Sequence, residues 1–318
     1  MIPVDLITGF LGAGKTTFLL RYARWWLRQG KRIGILVYDH GAVNVDMPLL
    51  QELRAGACEL EMLAGGCDAD CHRRRFRTKL IAMGMSGYDR VLIEPSGVFD
   101  MDEFFDTLRE APLDRWYEPG NVLTVVDARL EENCSPEEEF FLASQASCAG
   151  RVLLSRCRFA SKAEIEGTIA HLNRAARAIH AAEIPESRVL AKDWARLEDA
   201  DFERLSRSGY QPPEYVKSIA GGLSSFQALS FLDLPLDGDA LREKTQTLFR
   251  DESFGRILRV KGFFGEGERW YQLNATADTF HVEAVPPCRG ALLVIGSALD
   301  EDRITCLLTG KLPEHHIL

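Results

Sequence analysis

The sequence is short of positive charge. Its 38 Lys and Arg face 47 Asp and Glu, a formal net charge of −9. A general nucleic-acid or membrane-surface binder would carry a basic footprint, so no nucleic acid and no membrane is expected as a partner. No apolar run reaches the roughly 20 residues a membrane helix needs. The first residues enter a strand-like run at once, without a signal-peptide pattern, so a cytoplasmic protein is expected. Eight cysteines in 318 residues, with no secretion signal, read as thiols rather than a disulfide framework. Internal repeats and low-complexity tracts are missing as well. What remains is a globular composition, 46% hydrophobic and 27% charged, long enough for one large or two ordinary domains.

What the chain does have is a glycine loop. Gly9-Phe-Leu-Gly-Ala-Gly-Lys-Thr16 fits G-x-x-x-x-G-K-[ST], the phosphate-binding P-loop. Gly12 and Gly14 lack Cβ, so the backbone can take positive φ and approach a phosphate. The N–H groups around Gly9, Gly12, Ala13, Gly14 and Thr17 would converge on it, helped by the positive end of the following helix. Lys15 reaches the β/γ oxygens, and the Thr16 hydroxyl suits Mg²⁺. The flanks agree. Val4–Thr8 is a short apolar strand, and Phe18, Leu19, Tyr22, Ala23, Trp26 and Leu27 recur at helical spacing. A plain Gly-rich turn between strand and helix is the competing reading.

Residues 1–205 alternate strand and helix. Strands are expected at Val4–Thr8, Arg32–Tyr38, Arg90–Glu94, Val122–Asp127, Arg151–Leu154 and Arg188–Ala191, with helices at Asp102–Glu110 and Lys162–Ala182 among those between. This is an α/β fold, a doubly wound and mostly parallel sheet of the P-loop NTPase kind. Ser, Gly and Pro212-Pro213 mark 206–225 as a linker. Over 226–318, strands at Ser225–Leu232, Ile257–Phe264, Trp270–Ala275, Phe280–Val285 and Ala291–Gly296 accompany helices at Ala240–Leu248 and Glu301–Leu308. That texture predicts a small α+β C-terminal domain with a mostly antiparallel sheet.

Glu94-Pro-Ser-Gly97 follows an apolar strand. An acidic residue there holds Mg²⁺ through water, and Gly97 offers its N–H to a γ-phosphate and acts as a switch hinge. Asp127, at another strand end, is either a helix cap or a nucleotide contact.

Together these pieces resemble the CobW-like (cobalamin-synthesis-W type) branch of the P-loop GTPases, a metallochaperone family related to the nickel-insertion GTPases of urease and hydrogenase. Ile7–Thr17 is that family's P-loop almost letter for letter. Ile93–Gly97 resembles its switch segment, Val125–Ala128 its next strand end, and Ala291–Gly296 with Leu299–Glu301 the close of its C-terminal domain. The resemblance implies a GTP (or ATP) hydrolase with Mg²⁺ and low intrinsic turnover, acting in metal delivery to a client metalloprotein.

Two departures qualify the resemblance. The family's Asn-Lys-x-Asp is replaced by Ser155-Arg156-Cys157-Arg158. Arg158 can only donate, so two charge-assisted hydrogen bonds to guanine, at ~1.5–3 kcal/mol each, would be missing. Arg156 can still stack on a base beside Ser155, and the backbone near Ala191–Trp194 is the other place for base recognition. The family's C-x-C-C motif is altered too. Cys67 fits its first position, the middle Cys is lost, and Cys71 falls one place late, next to His72. Upstream stand Asp39 and His40, with Asp46 beyond. Thiolate with imidazole suits Zn²⁺, or Co²⁺; the alternative is a polar loop with incidental thiols.

The remaining features carry blander expectations. Arg73-Arg74-Arg75 with Arg77 and Lys79 reads as a solvated helix face. His171 and His180 are expected on the surface, and His315-His316 in a frayed tail. Cys58, Cys148, Cys288 and Cys306 are expected as small core residues. Two other functions fit the same motifs. One is a nucleotide-binding assembly or reactivation factor with little hydrolysis, and the other is a small-molecule P-loop kinase.

Overall fold

The computed structural model describes residues 1–39, 53, 58–64, 69–130, 134–216, 226–277 and 279–310, without the side chains of 39, 64, 69–72 and 226. The chain divides into two compact units, one carried by the described residues up to 216 apart from Asp39 and Ala64, and one chiefly by those from 226 on.

The first unit is built on seven strands. They are β1 (Ile2–Thr8), β2 (Ile33–Asp39), β3 (Cys58–Ala64), β4 (Arg90–Glu94), β5 (Tyr117–Asp127), β6 (Arg151–Ser155) and β7 (Val189–Leu190), in the order β3-β2-β4-β1-β5-β6-β7. The pairings β2–β4, β4–β1, β1–β5, β5–β6 and β6–β7 are all parallel. Strands buried on both faces read as continuous apolar runs, and Val91-Leu-Ile93 and Val152-Leu-Leu154 are 0% exposed. The expected doubly wound, mostly parallel sheet is what the chain forms. β3 is a strand beyond those expected, and β5 begins at Tyr117, five residues before the expected Val122.

Helices α1 (Lys15–Arg28), α2 (Ala69–Gly84), α3 (Met101–Arg109), α4 (Pro136–Cys148), α5 (Lys162–Ala178) and α6 (Asp199–Leu205) belong to the same unit. Their starts follow local chemistry. Asp100 caps α3 by accepting from the Asp102 N–H, and Ser135/Glu138 and Ser161/Glu164 form reciprocal capping boxes on α4 and α5. α5 ends at Ala178, short of the expected Ala182. The Arg73–Lys79 stretch does lie on a helix with exposed charges, and Arg73 and Arg77 both pair with Glu110.

A buried charge ties the central strands together. Asp5 on β1 is 0% exposed and pairs with Arg90 on β4. It also accepts from the Asn121 backbone N–H at 2.8 Å, from Asn121 Nδ2 at 2.9 Å on β5, and from Tyr22 Oη at 2.8 Å on α1. Burial raises its carboxyl pKa, while Arg90 and the hydrogen bonds pull it down. Residues 206–216 also pack on this unit: Val122 N–H donates to Gly209 O at 2.9 Å and Gln211 N–H to Cys148 O at 2.9 Å.

The second unit is a five-stranded sheet of β8 (Phe226–Leu232), β9 (Arg256–Glu266), β10 (Arg269–Ala275), β11 (Phe280–Val285) and β12 (Ala291–Ser297), in the order β11-β10-β9-β12-β8. Every pairing is antiparallel. α7 (Gly238–Arg250) and α8 (Glu301–Thr309) supply Leu241, Leu248, Ile304 and Leu308 to a core with Val260, Leu273 and Val294. This is the expected α+β texture.

Candidate nucleotide-binding site

In open parallel sheets, ligands sit beyond the carboxyl ends of the strands, where the strand order reverses. Here β1 leads from the middle of the sheet into the loop 9–14. Gly12 and Gly14 have φ +80 and +102, and Gly14 is the N-cap of α1 with no side-chain cap. The N–H groups of the first turn therefore lack a capping side chain. Gly9 passes so close to β5 that a Cβ there would stand 2.2 Å from Val125 O.

Lys15 is only 7% exposed, and its Nζ donates to Gly9 O at 2.8 Å and Phe10 O at 3.4 Å. The ammonium thus curls over its own loop, the place a bound phosphate would occupy. Thr16 Oγ1 donates to Glu94 Oε1 at 2.7 Å. Glu94, at the end of β4, is 4% exposed. The segment after it is pressed to the loop, since a Cβ on Gly97 would meet the Leu11 backbone nitrogen at 2.5 Å. Gln145 of α4 fixes that segment from behind, donating Nε2 to Gly97 O at 3.1 Å and to Phe99 O at 3.3 Å.

The base side has an unusual lining. Arg156 sits at φ +55 in the left-handed region, and its guanidinium donates to Asp127 Oδ2 and, at 3.1 Å, to Gly12 O. Asp127 also accepts from the Arg129 N–H at 3.0 Å, so it caps its own turn and pairs with Arg156 together. The buried Ser155 hydroxyl has no hydrogen-bond partner among the described residues. Arg158 turns its guanidinium over the Phe159 ring, 4.3 Å from the centroid. Trp194 lies 3.4 Å from where a Gly14 Cβ would stand, held by Arg21 donating to its carbonyl at 3.1 Å. The side chains of Trp194, Arg21 and Gln145 are additions to the expected site. A tryptophan just past the short strand β7 was the available signal for the first, and nothing in the spacing marked the other two.

The expected metal residues are less informative. Cys67, His40 and Asp46 lie outside the described residues. So do the side chains of Asp39 at the end of β2 and of Cys71 and His72 in the first turn of α2. His315 and His316 also lie outside. On β2, Tyr38 Oη donates to Glu103 at 3.5 Å, and burial, helped by nearby Asp100 and opposed by Arg73, pushes the Glu103 carboxyl up to about 7. Two smaller expectations need correction. His171 is not a surface residue but 3% exposed, because its face of α5 packs against α4. Cys58 and Cys148 are buried as expected, but Cys288 and Cys306 are only half-buried.

This chain belongs to the CobW/HypB/UreG family, whose nucleotide-binding-domain model matches residues 3–182. Among curated relatives, the zinc-regulated GTPase metalloprotein activator 1 of Dictyostelium discoideum is 25% identical over 309 residues, 82% of this chain and 62% of that protein. The zinc chaperone YeiR of Escherichia coli is 32% identical over 143 residues, 44% of this chain and 42% of that protein. The chain thus spans less than two thirds of the length of these relatives. A crystal structure of the Zn(II)-bound YjiA GTPase from E. coli aligns with 97% of this chain and 98% of that one, at 20% identity and a TM-score of 0.38. Among the described residues no helix is long and apolar enough to cross a membrane.

Proposed function

We propose that this chain is a P-loop nucleoside triphosphatase of the cytoplasm that couples nucleotide binding and slow hydrolysis to the handling of a metal ion for a client metalloprotein. The observation that carries the nucleotide half is the 2.7 Å approach of Thr16 Oγ1 to Glu94 Oε1. Neighbouring ligands of an octahedral Mg²⁺, bound at about 2.0–2.1 Å, stand about 2.9 Å apart. A hydroxyl and a buried carboxylate already at that spacing fit the ion, Glu94 directly or through water. Mg²⁺ in this place would neutralise charge on the β- and γ-phosphate oxygens.

The chain's own groups do the rest. Lys15 exchanges the Gly9 and Phe10 carbonyls for phosphate oxygens, so its charge is spent on ligand rather than on the loop. The N–H groups of Gly12, Gly14 and Thr17 would turn to the phosphate at the start of α1, joined by that of Ala13, which here donates to Phe10 O at 3.3 Å. Gly97, without a side chain, lets its N–H approach a γ-phosphate and lets the segment move when that phosphate leaves. Turnover rests on positioned water and is raised by a partner. Base preference is weak, because Arg158 offers no acceptor to guanine, and Ser155 and Arg156 would line the base instead.

The metal half draws support from the relatives' names and from the Cys67–His72 segment, with Asp39 and His40 upstream as further ligands for Zn²⁺ or Co²⁺. The same reading takes 1–205 as the nucleotide-binding domain, 206–225 as linker and 226–318 as a C-terminal domain. Two titrations test it. Mg-GTP and Mg-ATP are titrated side by side into wild type and Lys15→Ala, with turnover measured, and unchanged binding in the variant sinks the nucleotide half. Zn²⁺ is titrated into wild type and Cys67→Ala, each with and without Mg-nucleotide. Linkage requires the nucleotide to shift the metal affinity if the sites are coupled. Identical behaviour in all four samples sinks the metal half.

A further inference from the structure

One cluster of metal-binding side chains lies outside the Cys67–His72 segment. Cys134, Glu139 and His171 each place a ligand atom within 4.8 Å of the other two. His171 Nε2 stands 2.5 Å from Glu139 Oε1, and the imidazole is almost fully buried. Its Nδ1 has no hydrogen-bond partner among the described residues.

The way α4 begins explains why two of these groups meet. Ser135 is its N-cap, and the capping box with Glu138 is complete: Ser135 N–H donates to Glu138 Oε2 at 2.6 Å and Glu138 N–H to Ser135 Oγ at 3.3 Å. Cys134 is then the residue before the cap, and Glu139 is the fourth residue of the helix. That is the pair of positions a hydrophobic staple brings into contact. Here the pair is a thiol and a carboxylate instead of two apolar side chains. α5 packs along α4 and adds His171 from the side, while Thr168, one turn before His171, bonds the strand-end segment by donating to Ala128 O at 2.9 Å and accepting from the Leu130 N–H at 3.2 Å. The helix cap and the helix–helix packing therefore hold all three groups before any ligand arrives.

We propose that Cys134, Glu139 and His171 form a second metal site, taking a borderline-soft divalent ion of the Zn²⁺ class. Sulfur, imidazole and carboxylate are the donor types that such an ion selects over Mg²⁺ or Ca²⁺. Bonds of about 2.0–2.3 Å in a tetrahedron put neighbouring ligand atoms about 3.3–3.8 Å apart. The three groups reach that spacing by adjusting about an ångström each. A thiolate and a carboxylate together neutralise the ion. Three protein ligands leave the fourth position open, which suits an ion that arrives and leaves rather than one locked into the fold. The site is independent of the metal half of the function proposed above.

The test uses Co²⁺, whose thiolate charge-transfer band reports sulfur ligation, on the full chain carrying Cys67→Ala and Cys71→Ala. With the Cys67 and Cys71 thiols gone, one Co²⁺ per chain should still bind and show the band. Adding Cys134→Ala should remove the band, and adding Glu139→Gln should weaken binding with the band retained. Both positions are half-buried, and unchanged far-ultraviolet circular dichroism confirms the fold. Absence of Co²⁺ binding in the Cys67→Ala/Cys71→Ala protein overturns the site, and so does a band that survives Cys134→Ala. Either result leaves the Cys67–His72 segment to stand or fall on its own titration.

Discussion

Thr16 Oγ1 donates to Glu94 Oε1 at 2.7 Å across 78 positions of sequence, joining the first turn of α1 to the end of β4. Neither residue alone is informative: a threonine after a glycine-lysine pair is one letter of a motif, and a glutamate at a strand end is common. Their contact turns two motifs into one site. Thr16→Ala and Glu94→Gln are therefore expected to weaken Mg²⁺-dependent binding and turnover much more than binding of nucleotide in EDTA. Lys15→Ala should abolish tight binding under both conditions. Calorimetric titration with and without Mg²⁺ separates the cases, and equal losses for Thr16→Ala with and without Mg²⁺ would refute the assignment.

Base choice is the second expectation. Arg158 stacks on Phe159 and presents no acceptor, so GTP and ATP should bind with similar affinity. Arg158→Asp should shift the preference towards GTP. A wild-type protein that already binds GTP about a thousandfold tighter than ATP, roughly 4 kcal/mol, would contradict this.

Removal of Arg90 tests the buried charge beneath the loop. Arg90→Ala leaves Asp5 buried with its hydrogen bonds but without its cation, at a cost of about 3–5 kcal/mol. Asp5→Asn combined with Arg90→Met, which removes both charges, should recover much of that stability. Urea unfolding of the three proteins decides it. A loss below about 1 kcal/mol in Arg90→Ala would mean that the hydrogen bonds from Tyr22 and Asn121 already suffice.

Glu103 makes a prediction in pH. Its folded pKa, pushed from 4.5 up to about 7 by burial, exceeds its value in the unfolded chain. Between those two values the folded protein retains a proton that the unfolded chain releases, so this group makes stability fall as pH rises through the window. Above about 7 the full penalty is present. Glu103→Gln should match wild type near pH 4 and be more stable at pH 8, by an amount on the order of 2 kcal/mol. Unfolding midpoints at the two pH values measure it, and a variant less stable at pH 8 would rule it out.

Much of this was legible in the sequence, and the rest was hidden for identifiable reasons. The parallel strands announced themselves because strands buried on both faces must be continuously apolar. β3 was passed over although Cys58-Glu-Leu-Glu-Met62 alternates as a half-buried edge strand does, because its two glutamates break the continuous apolar run that marked the inner strands. The P-loop was readable because its backbone needs particular residue types at fixed spacing. The Trp194 ring against Gly14 was not readable, since only the fold brings the segment after β7 to the phosphate loop. His171 was misjudged as exposed, although Thr168, Leu172 and Ala175 at helical spacing around it already marked a buried stripe. An Ala-rich helix made that stripe faint.

Trp194 has a use beyond lining. It stands 3.4 Å from the Cβ position of Gly14, its ring centroid lies 5.5 Å from that of Phe18, and Phe18 in turn stacks on Tyr22 beside Trp25 and Trp26. The chain has only five tryptophans, three of them in this one chain of rings. An indole this close to the phosphate loop is expected to change its emission when a nucleotide arrives, because the polarity around it changes. A titration of Mg-GTP followed by tryptophan emission, in wild type and Trp194→Phe, measures this, with the change expected in the wild type alone.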